Sequence, residues 1–215
     1  MTDIIVYLKA PEPGQVKTRL HTRYTEDESA ALYRAFILDT FDMVVSVEAD
    51  RYFAAYAGAR DGIDALVPPG WNLSAQIDAD LGERMLGSLR ASIDSGADKV
   101  VLLGTDLPSL PAGHLVSALT RLNESDVVLG PTMDGGFYLI ATRCHLPDIF
   151  PGIAWSTDKV FEQSSERIQS HGLRLGKIPP WNDIDTPEDL DSVLLHSAEP
   201  TVLQHTREAL ARLRR

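Results

Sequence analysis

Runs of consecutive apolar residues alternate along this chain with stretches whose apolar positions recur every three or four residues. Ile4, Ile5, Val6, Tyr7 and Leu8 form the first run, and Val100, Val101, Leu102 and Leu103 form the most continuous one. Uninterrupted apolar runs suit strands buried on both faces of a parallel sheet. Between these runs, Leu32, Phe36, Ile37, Phe41 and Val44 make a helical stripe, and Thr25 with Glu28 has capping-box spacing just before it. Further strands are expected at 51–57, 71–77, 127–130, 137–141 and 173–178. Further helices are expected at 82–93, from Pro111 through Leu115, Leu119 and Leu122, and at 157–170, where Ser156 or Thr157 is the N-cap and Gly172 the stop. Pro68, Pro69 and Gly70 mark a break. Thr186 and Pro187 read as an N-cap and first helical residue, with Glu188 and Asp189 at the positive end of that helix. Two helices divided near Pro200 then fill 187–215. Strand–helix alternation of this kind predicts an α/β fold with a mostly parallel sheet.

Composition narrows the class. A chain of 215 residues with 44% hydrophobic and 24% charged residues is expected to be one soluble domain, 1–215, carrying a C-terminal helical extension from about 187. No apolar run reaches membrane-spanning length, and the N-terminus lacks a secretion signal, so a cytoplasmic protein is expected. The single cysteine, Cys144, excludes an internal disulfide and is expected to pack near a strand end. A net charge of −11 argues against a protein that tracks nucleic acid. The basic tail of Arg207, Arg212, Arg214 and Arg215 reads as a solvated helix end.

Against that acidic background, residues 1–24 hold Lys9, Lys17, Arg19 and Arg23 against Asp3 and Glu12, a local net of +2. A strand leading into a Pro- and Gly-containing loop with Lys17 and Arg19 has the parts of a phosphate site, the arginine as a planar fork and the lysine as a point charge. A solvated turn is the plainer alternative. Asp106 follows the central apolar run, at the strand end where open α/β sheets bind ligands; a turn cap before Pro108 is its alternative. Asp183 and Asp185, at i and i+2, project to one side of an extended segment. Asp185 or Asp183 meeting Asp106 would suit Mg²⁺, a hard ion that takes one or two carboxylates with phosphate oxygens and water; a helix-entry role is the alternative for Asp185. Asp134, Gly135 and Gly136 make either a hairpin turn or a backbone that approaches a ligand. Gly82, after the cap residue Asp80, either faces a nucleotide or simply opens a helix. Trp155 beside Ser156 would line an acceptor pocket or pack in the core. Of six histidines, only His21 lies near the basic loop. The nucleophile elbow G-x-S-x-G and the dinucleotide fingerprint G-x-G-x-x-G do not occur.

The segments K-A-P-E-P-G-Q-V-K-T-R-L (9–20), D-L-G-E-R-M (80–85), L-G-T-D-L-P (103–108), L-G-P-T-M-D-G-G-F-Y-L-I (129–140), W-S-T-D (155–158) and D-I-D-T-P-E-D-L (183–190) together resemble the nucleotide-diphospho-sugar transferase superfamily, and within it the DUF2064 branch. The first and last blocks are also similar to guanylyltransferases of phospholactate and molybdenum-cofactor assembly. The resemblance implies a three-layer α/β/α sandwich with a mixed, mostly parallel sheet. It implies a nucleotide pocket drawn from Lys9, Ala10, Gly14, Lys17, Arg19, Gly82 and Thr105, and an acceptor side at Asp134, Gly135, Gly136, Trp155 and Ser156. Asp106 takes the place of an acid of the D-x-D motif; residue 104 is glycine, so the metal pair falls to Asp106 and Asp185, with Asp183 as the alternative to Asp185, and Mg²⁺ or Mn²⁺ as the ion. The leading expectation is glycosyl transfer from a nucleotide sugar to a small acceptor, with Lys17, Arg19 and Asp134 as catalytic groups. Nucleotidyl transfer from a nucleoside triphosphate to a phosphorylated acceptor is the second, and a non-catalytic nucleotide- or partner-binding protein the third.

Overall fold

A computed structural model describes residues 1–197 and 202–213. Seven strands form one sheet: β1 (Thr2–Lys9), β2 (Arg51–Ala57), β3 (Asn72–Ala75), β4 (Lys99–Gly104), β5 (Val127–Pro131), β6 (Phe137–Thr142) and β7 (Leu175–Lys177), in the order β3-β2-β1-β4-β6-β5-β7. Only β6 runs antiparallel to its neighbours, β4 and β5; the other pairings are parallel. The expected mixed, mostly parallel sheet is therefore present.

Alternation along β1 sends its side chains to two cores. Ile4, Val6 and Leu8 meet Phe36, Ile37 and Phe41 of α1 (Glu26–Val45), on the face also covered by α3 (Gly113–Arg121), α5 (Pro187–His196) and α6 (Gln204–Leu213). Ile5 and Tyr7 meet Met85, Leu86 and Leu89 of α2 (Leu81–Asp94), on the face shared with α4 (Val160–Ser170). Each buried Ile or Leu contributes about 1.5–3 kcal/mol relative to exposure.

Most helix starts follow the expected chemistry, although α3 begins at Gly113 rather than Pro111, with no side-chain cap. Thr25 and Glu28 form a reciprocal capping box on α1. Thr186 caps α5, but its partner is Asp189 at N3, while Glu188 reaches out to Arg23. The larger departure is α4, which begins at Val160 rather than 157. Ser156 is left-handed, with φ of 63°. Thr157 Oγ1 accepts from the Lys159 amide, and the Phe161 amide donates to the Gly135 carbonyl, so the chain is committed to a turn before it can coil. The expected break at Pro200 and the tail residues Arg214 and Arg215 lie outside the described residues. Arg207 is not simply a solvated end, because its guanidinium donates to the carbonyls of Leu194 and Ser197 where α5 stops. Buried Asp39 of α1 accepts from the amides of His205 and Thr206 and from the Thr206 hydroxyl, which fastens α6 to α1.

Asp126, at the start of β5, ties in the edge strand β7. It accepts from the Arg174 guanidinium and amide and pairs with Arg143. Arg174, then its amide and Arg143, hold this carboxyl well below the ordinary carboxylate range. A depressed folded-state value means that the stabilisation is complete above the unfolded value of about 3.9 and lost as pH falls below it. Asp126→Asn is expected to cost about 1 kcal/mol near neutral pH. In urea titrations from pH 6 to pH 2.5, the gap to wild type should narrow on the acid side. A gap that stays constant across that range would show that ionisation of Asp126 does not carry the effect.

Candidate active site

The chain runs from β1 outward to β2 and β3, then returns across β1 to β4. The carboxyl ends of β1 and β4 therefore flank a topological switch point, where neighbouring connections diverge and leave a crevice. A cleft of about 520 Å³ opens there, bounded by Lys9, Lys17, Arg19, Thr105, Asp106, Asp183 and Asp185, and on its other side by Tyr7, Gln76 and Arg84.

Lys17 is the hub. Its backbone is left-handed, with φ of 46°, a conformation uncommon for a residue with a Cβ. Its side chain is 5% exposed, and Nζ lies 2.5 Å from Asp106 Oδ1 and 3.2 Å from Asp185 Oδ1 while donating to the Ile184 carbonyl at 2.7 Å. Burial works against the ammonium charge, but Asp106 and Asp185 outweigh it and hold the pKa above the ordinary lysine value. The Ile184 amide donates in turn to the Asp106 carbonyl, so one residue of the last block is stitched to both the first loop and the residue that follows β4. Arg19 is largely exposed and donates to Asp185 Oδ2 at 2.9 Å.

Asp183 faces inward beside them. Its Oδ1 is buried without a hydrogen-bond partner. Its carboxyl is pushed up to about 7, first by burial and then by the negative charge of Asp106. An orphaned buried carboxylate oxygen among other carboxylates is short of positive charge, and a divalent cation would supply it. Among the described residues no three His, Cys, Asp or Glu side chains are gathered as a ready-made cage. Two carboxylates with phosphate oxygens would suffice for Mg²⁺.

Several residues expected at the site lie elsewhere. Ala10 continues the β1–β2 ladder by donating to the Ala57 carbonyl, and Gly14 turns with φ of 76° against Glu26; neither lines the cleft. Gly82 is buried against the other side, where a Cβ would sit 2.7 Å from Phe150 and 2.8 Å from Trp155. Its role is close packing, and its neighbours Leu81, Arg84 and Met85 line the cleft instead. Asp134 turns the β5–β6 connection by accepting from the Thr132 hydroxyl and the Gly136 amide. Gly135, at φ of 90°, passes so close to the Asp158 backbone that no side chain fits. Trp155 packs with Phe137 and Phe150, and Ser156 is exposed. These acceptor-side residues are gathered near the hairpin but do not line the cleft. His21 stands outside it too, with Nε2 buried and unpartnered. Cys144 sits just past β6, packed against the α2–α4 core as expected.

Other cleft groups went unnoticed in the sequence. Tyr33 sits on the core stripe of α1, yet its hydroxyl accepts from the Lys9 amide and meets Thr105 Oγ1 at 2.8 Å. A tyrosine in a buried stripe needs a polar partner, and that was the available signal. Arg84 lies within D-L-G-E-R-M, where the glycine drew attention first. Tyr138 and Trp181 brace the acidic segment: the Tyr138 hydroxyl donates to the Pro179 carbonyl and meets His114 Nδ1, and the Trp181 indole donates to Ser109.

Comparison with known proteins places this site in context. A 3-phospho-D-glycerate guanylyltransferase of Phenylobacterium zucineum is 32% identical over 195 residues, covering 80% of this chain and 81% of that protein. A 2-phospho-L-lactate guanylyltransferase of Methanothermobacter thermautotrophicus is 26% identical over 212 residues, covering 92% and 85%. The crystal structure of a provisionally named nucleotide-diphospho-sugar transferase from Desulfovibrio desulfuricans G20 superposes with a TM-score of 0.87 at 33% identity, over 99% of this chain and 96% of that one. A Mycobacterium tuberculosis H37Rv protein crystallised with manganese shares the fold alone, with a TM-score of 0.52 at 16% identity over 91% of this chain and 100% of that one. The family described as uncharacterised proteins conserved in bacteria, DUF2064, matches residues 38–157. With more than half its length in that match, and with guanylyltransferase relatives along most of the chain, this protein belongs to the DUF2064 family on the nucleotide-diphospho-sugar transferase-like fold.

Proposed function

We propose that this protein is a nucleotidylyltransferase that moves a nucleoside monophosphate, guanylate foremost, from a triphosphate to the phosphate of a small phosphorylated acid. The observation that carries this reading is the orphaned Asp183 carboxylate facing Asp106 and Asp185 around buried Lys17, in a protein whose relatives include several guanylyltransferases. Those relatives favour the second of the sequence expectations over glycosyl transfer.

In this reaction an acceptor phosphate oxygen attacks the α-phosphorus, the bond to the β-phosphate oxygen breaks, and pyrophosphate leaves. The attacking oxygen is already ionised, so no protein base is needed, and positioning plus charge neutralisation supplies the rate. Asp106 and Asp183, with Asp185 beside them, would hold a Mg²⁺ or Mn²⁺ ion, whose chemistry is to neutralise phosphate charge. Lys17 fixes Asp106 and Asp185 relative to each other through its paired donors. Arg19 spends one donor on Asp185, and the rest of its exposed fork remains for phosphate oxygens. Thr105 and Tyr33 close the floor between β1 and β4. Asp134, tied into its own turn, is given no proton-transfer role.

The test is pyrophosphate release. Purified protein is incubated with each nucleoside triphosphate, with Mg²⁺ or Mn²⁺, and with phosphoenolpyruvate, 2-phospho-L-lactate or 3-phospho-D-glycerate. Release that requires both one triphosphate and one acceptor is expected. Silence across the panel, with nucleoside diphosphate released from a nucleotide sugar instead, would overturn the reading in favour of glycosyl transfer.

A further inference from the structure

The cations of the cleft divide into two kinds. Lys17 is spent on Asp106 and Asp185, and Arg19 gives one donor to Asp185. Arg84 and Lys9 border the same cleft and have no carboxylate partner among the described residues. Asp80, one turn before Arg84, gives its carboxylate to the Glu83 amide, and Arg84 Nε reaches only the Asp80 carbonyl, at 3.4 Å.

Arg84 is nevertheless held in place. Its Nη1 donates to Gln76 Oε1 at 2.7 Å, and Gln76 is anchored by Nε2 to the carbonyls of Ala55 and Leu8, at the ends of β2 and β1. A glutamine brace orients a guanidinium without neutralising it, whereas a glutamate in that place would cancel its charge. Among the described residues, Nη2 and the second Nη1 hydrogen have no protein partner. Lys9 ends β1 two residues after Tyr7 and so projects to the same face, and the Tyr7 hydroxyl donates to the Arg84 carbonyl. Both cations therefore lie on the α2 side of the cleft, Arg84 braced through Gln76 to β2 and β1, and Lys9 at the end of β1 itself. Asp106 follows β4, which neighbours β1 and lies two strands from β2, so at the usual strand spacing it is separated by about 5 Å from the β1 end and about 10 Å from the β2 end.

We infer that Arg84, oriented by Gln76, and Lys9 form a second, oxyanion-binding subsite across the cleft from the carboxylate cluster, which takes a phosphoryl or carboxylate group. A planar fork beside a point charge is the donor set that such groups require. The inference rests on the nucleotidyl-transfer reading and deepens it. The oxyanion belongs either to the triphosphate tail of the donor or to the phosphorylated acid.

Equilibrium binding decides this without turnover. Inorganic tripolyphosphate, GTP and 3-phospho-D-glycerate are titrated separately by calorimetry into the full chain and into Arg84→Gln, Arg84→Lys and Lys9→Gln, with thermal midpoints as the folding control. Arg84→Gln is expected to weaken at least one ligand about tenfold or more, Arg84→Lys by less, and Lys9→Gln about threefold. Because Lys9 is exposed, its variant reads the subsite even where Arg84→Gln disturbs packing. A loss shared by tripolyphosphate and GTP assigns the subsite to the donor tail; a loss confined to 3-phospho-D-glycerate assigns it to the acceptor. Affinities unchanged within twofold in Lys9→Gln and in the folded Arg84 variants, or no binding of any of the three to wild type, would overturn the subsite. Losses as expected in a protein that releases no pyrophosphate would leave the subsite standing and end the transfer reading.

Discussion

Asp106→Asn is expected to lower the rate of pyrophosphate release at least a hundredfold, about 3 kcal/mol of transition-state stabilisation, while the protein stays folded. The asparagine keeps the shape of the side chain and an oxygen that accepts from Lys17, but it removes the charge. The fold does not depend on that charge. The Asp106 backbone carbonyl still receives the Ile184 amide, and Lys17 keeps Asp185 and the Ile184 carbonyl. The Asp106 side chain is 47% exposed, so its loss should cost about 1 kcal/mol of stability. Initial rates at saturating triphosphate, set beside a urea midpoint for each protein, separate the two effects. A variant that retains rates within threefold would remove Asp106 from the chemistry.

Lys17→Met should act on stability as strongly as on rate. The ammonium is nearly inaccessible and bridges two carboxylates, with a third, Asp183, close enough for its charge to be felt. Without it Asp106 and Asp185 face each other and Asp183 with no buried neutraliser. Removing one partner of a buried ion pair costs about 3–5 kcal/mol, reduced here to about 2–4 because Asp106 and Asp185 are partly exposed. For a chain of this length that is about 5–15 °C in the melting midpoint. Adding Asp185→Asn to Lys17→Met should restore part of the loss, since the second change relieves the repulsion the first creates. The coupling in a double-mutant cycle measures that recovery. A Lys17→Met protein within 0.5 kcal/mol of wild type would contradict a structural role for the bridge.

Much of this arrangement was legible in the residues. The capping box at Thr25 and Glu28, the boundaries of β2 and the carboxylate at the end of β4 all follow from local chemistry that tertiary contacts do not overrule. The 183–190 block declared a helix start and a pair of carboxylates, and both are present. What stayed hidden depends on where distant segments meet. Lys17 looked like a free phosphate ligand because nothing in the sequence shows that Asp106 and Asp185 occupy its donors. Gly82 and Gly135 stayed open between a ligand contact and a plain helix start or turn because a glycine that faces a ligand and one that faces Phe150 or the Asp158 backbone have the same letter, and Trp155 stayed open in the same way between a pocket wall and core packing. Ser156 or Thr157 reads as a cap, and the left-handed Ser156 together with the hydrogen bonds from Lys159 to Thr157 and from Phe161 to Gly135 explains why the helix begins later.

The one antiparallel strand bears on the order in which the molecule assembles. β5 and β6 are joined by residues 132–136, so their pairing closes a short loop, the kind of event that takes about 1–10 μs. β1 can meet β4 only after Thr2 finds Lys99, and the cleft further needs residues near 17, 106 and 184 to converge. Closing long loops costs more entropy before any contact repays it, and pairings of that range are slow. The hairpin closes the shorter loop and is expected to pair first, while the carboxylates acquire a common environment only when the two halves of the sheet lock together. Amide protection in β5 and β6 that precedes the return of ligand binding would be its kinetic mark. Chemistry is the last property this chain gains on folding and, by the same logic, the first it loses when the seam between β1 and β4 opens.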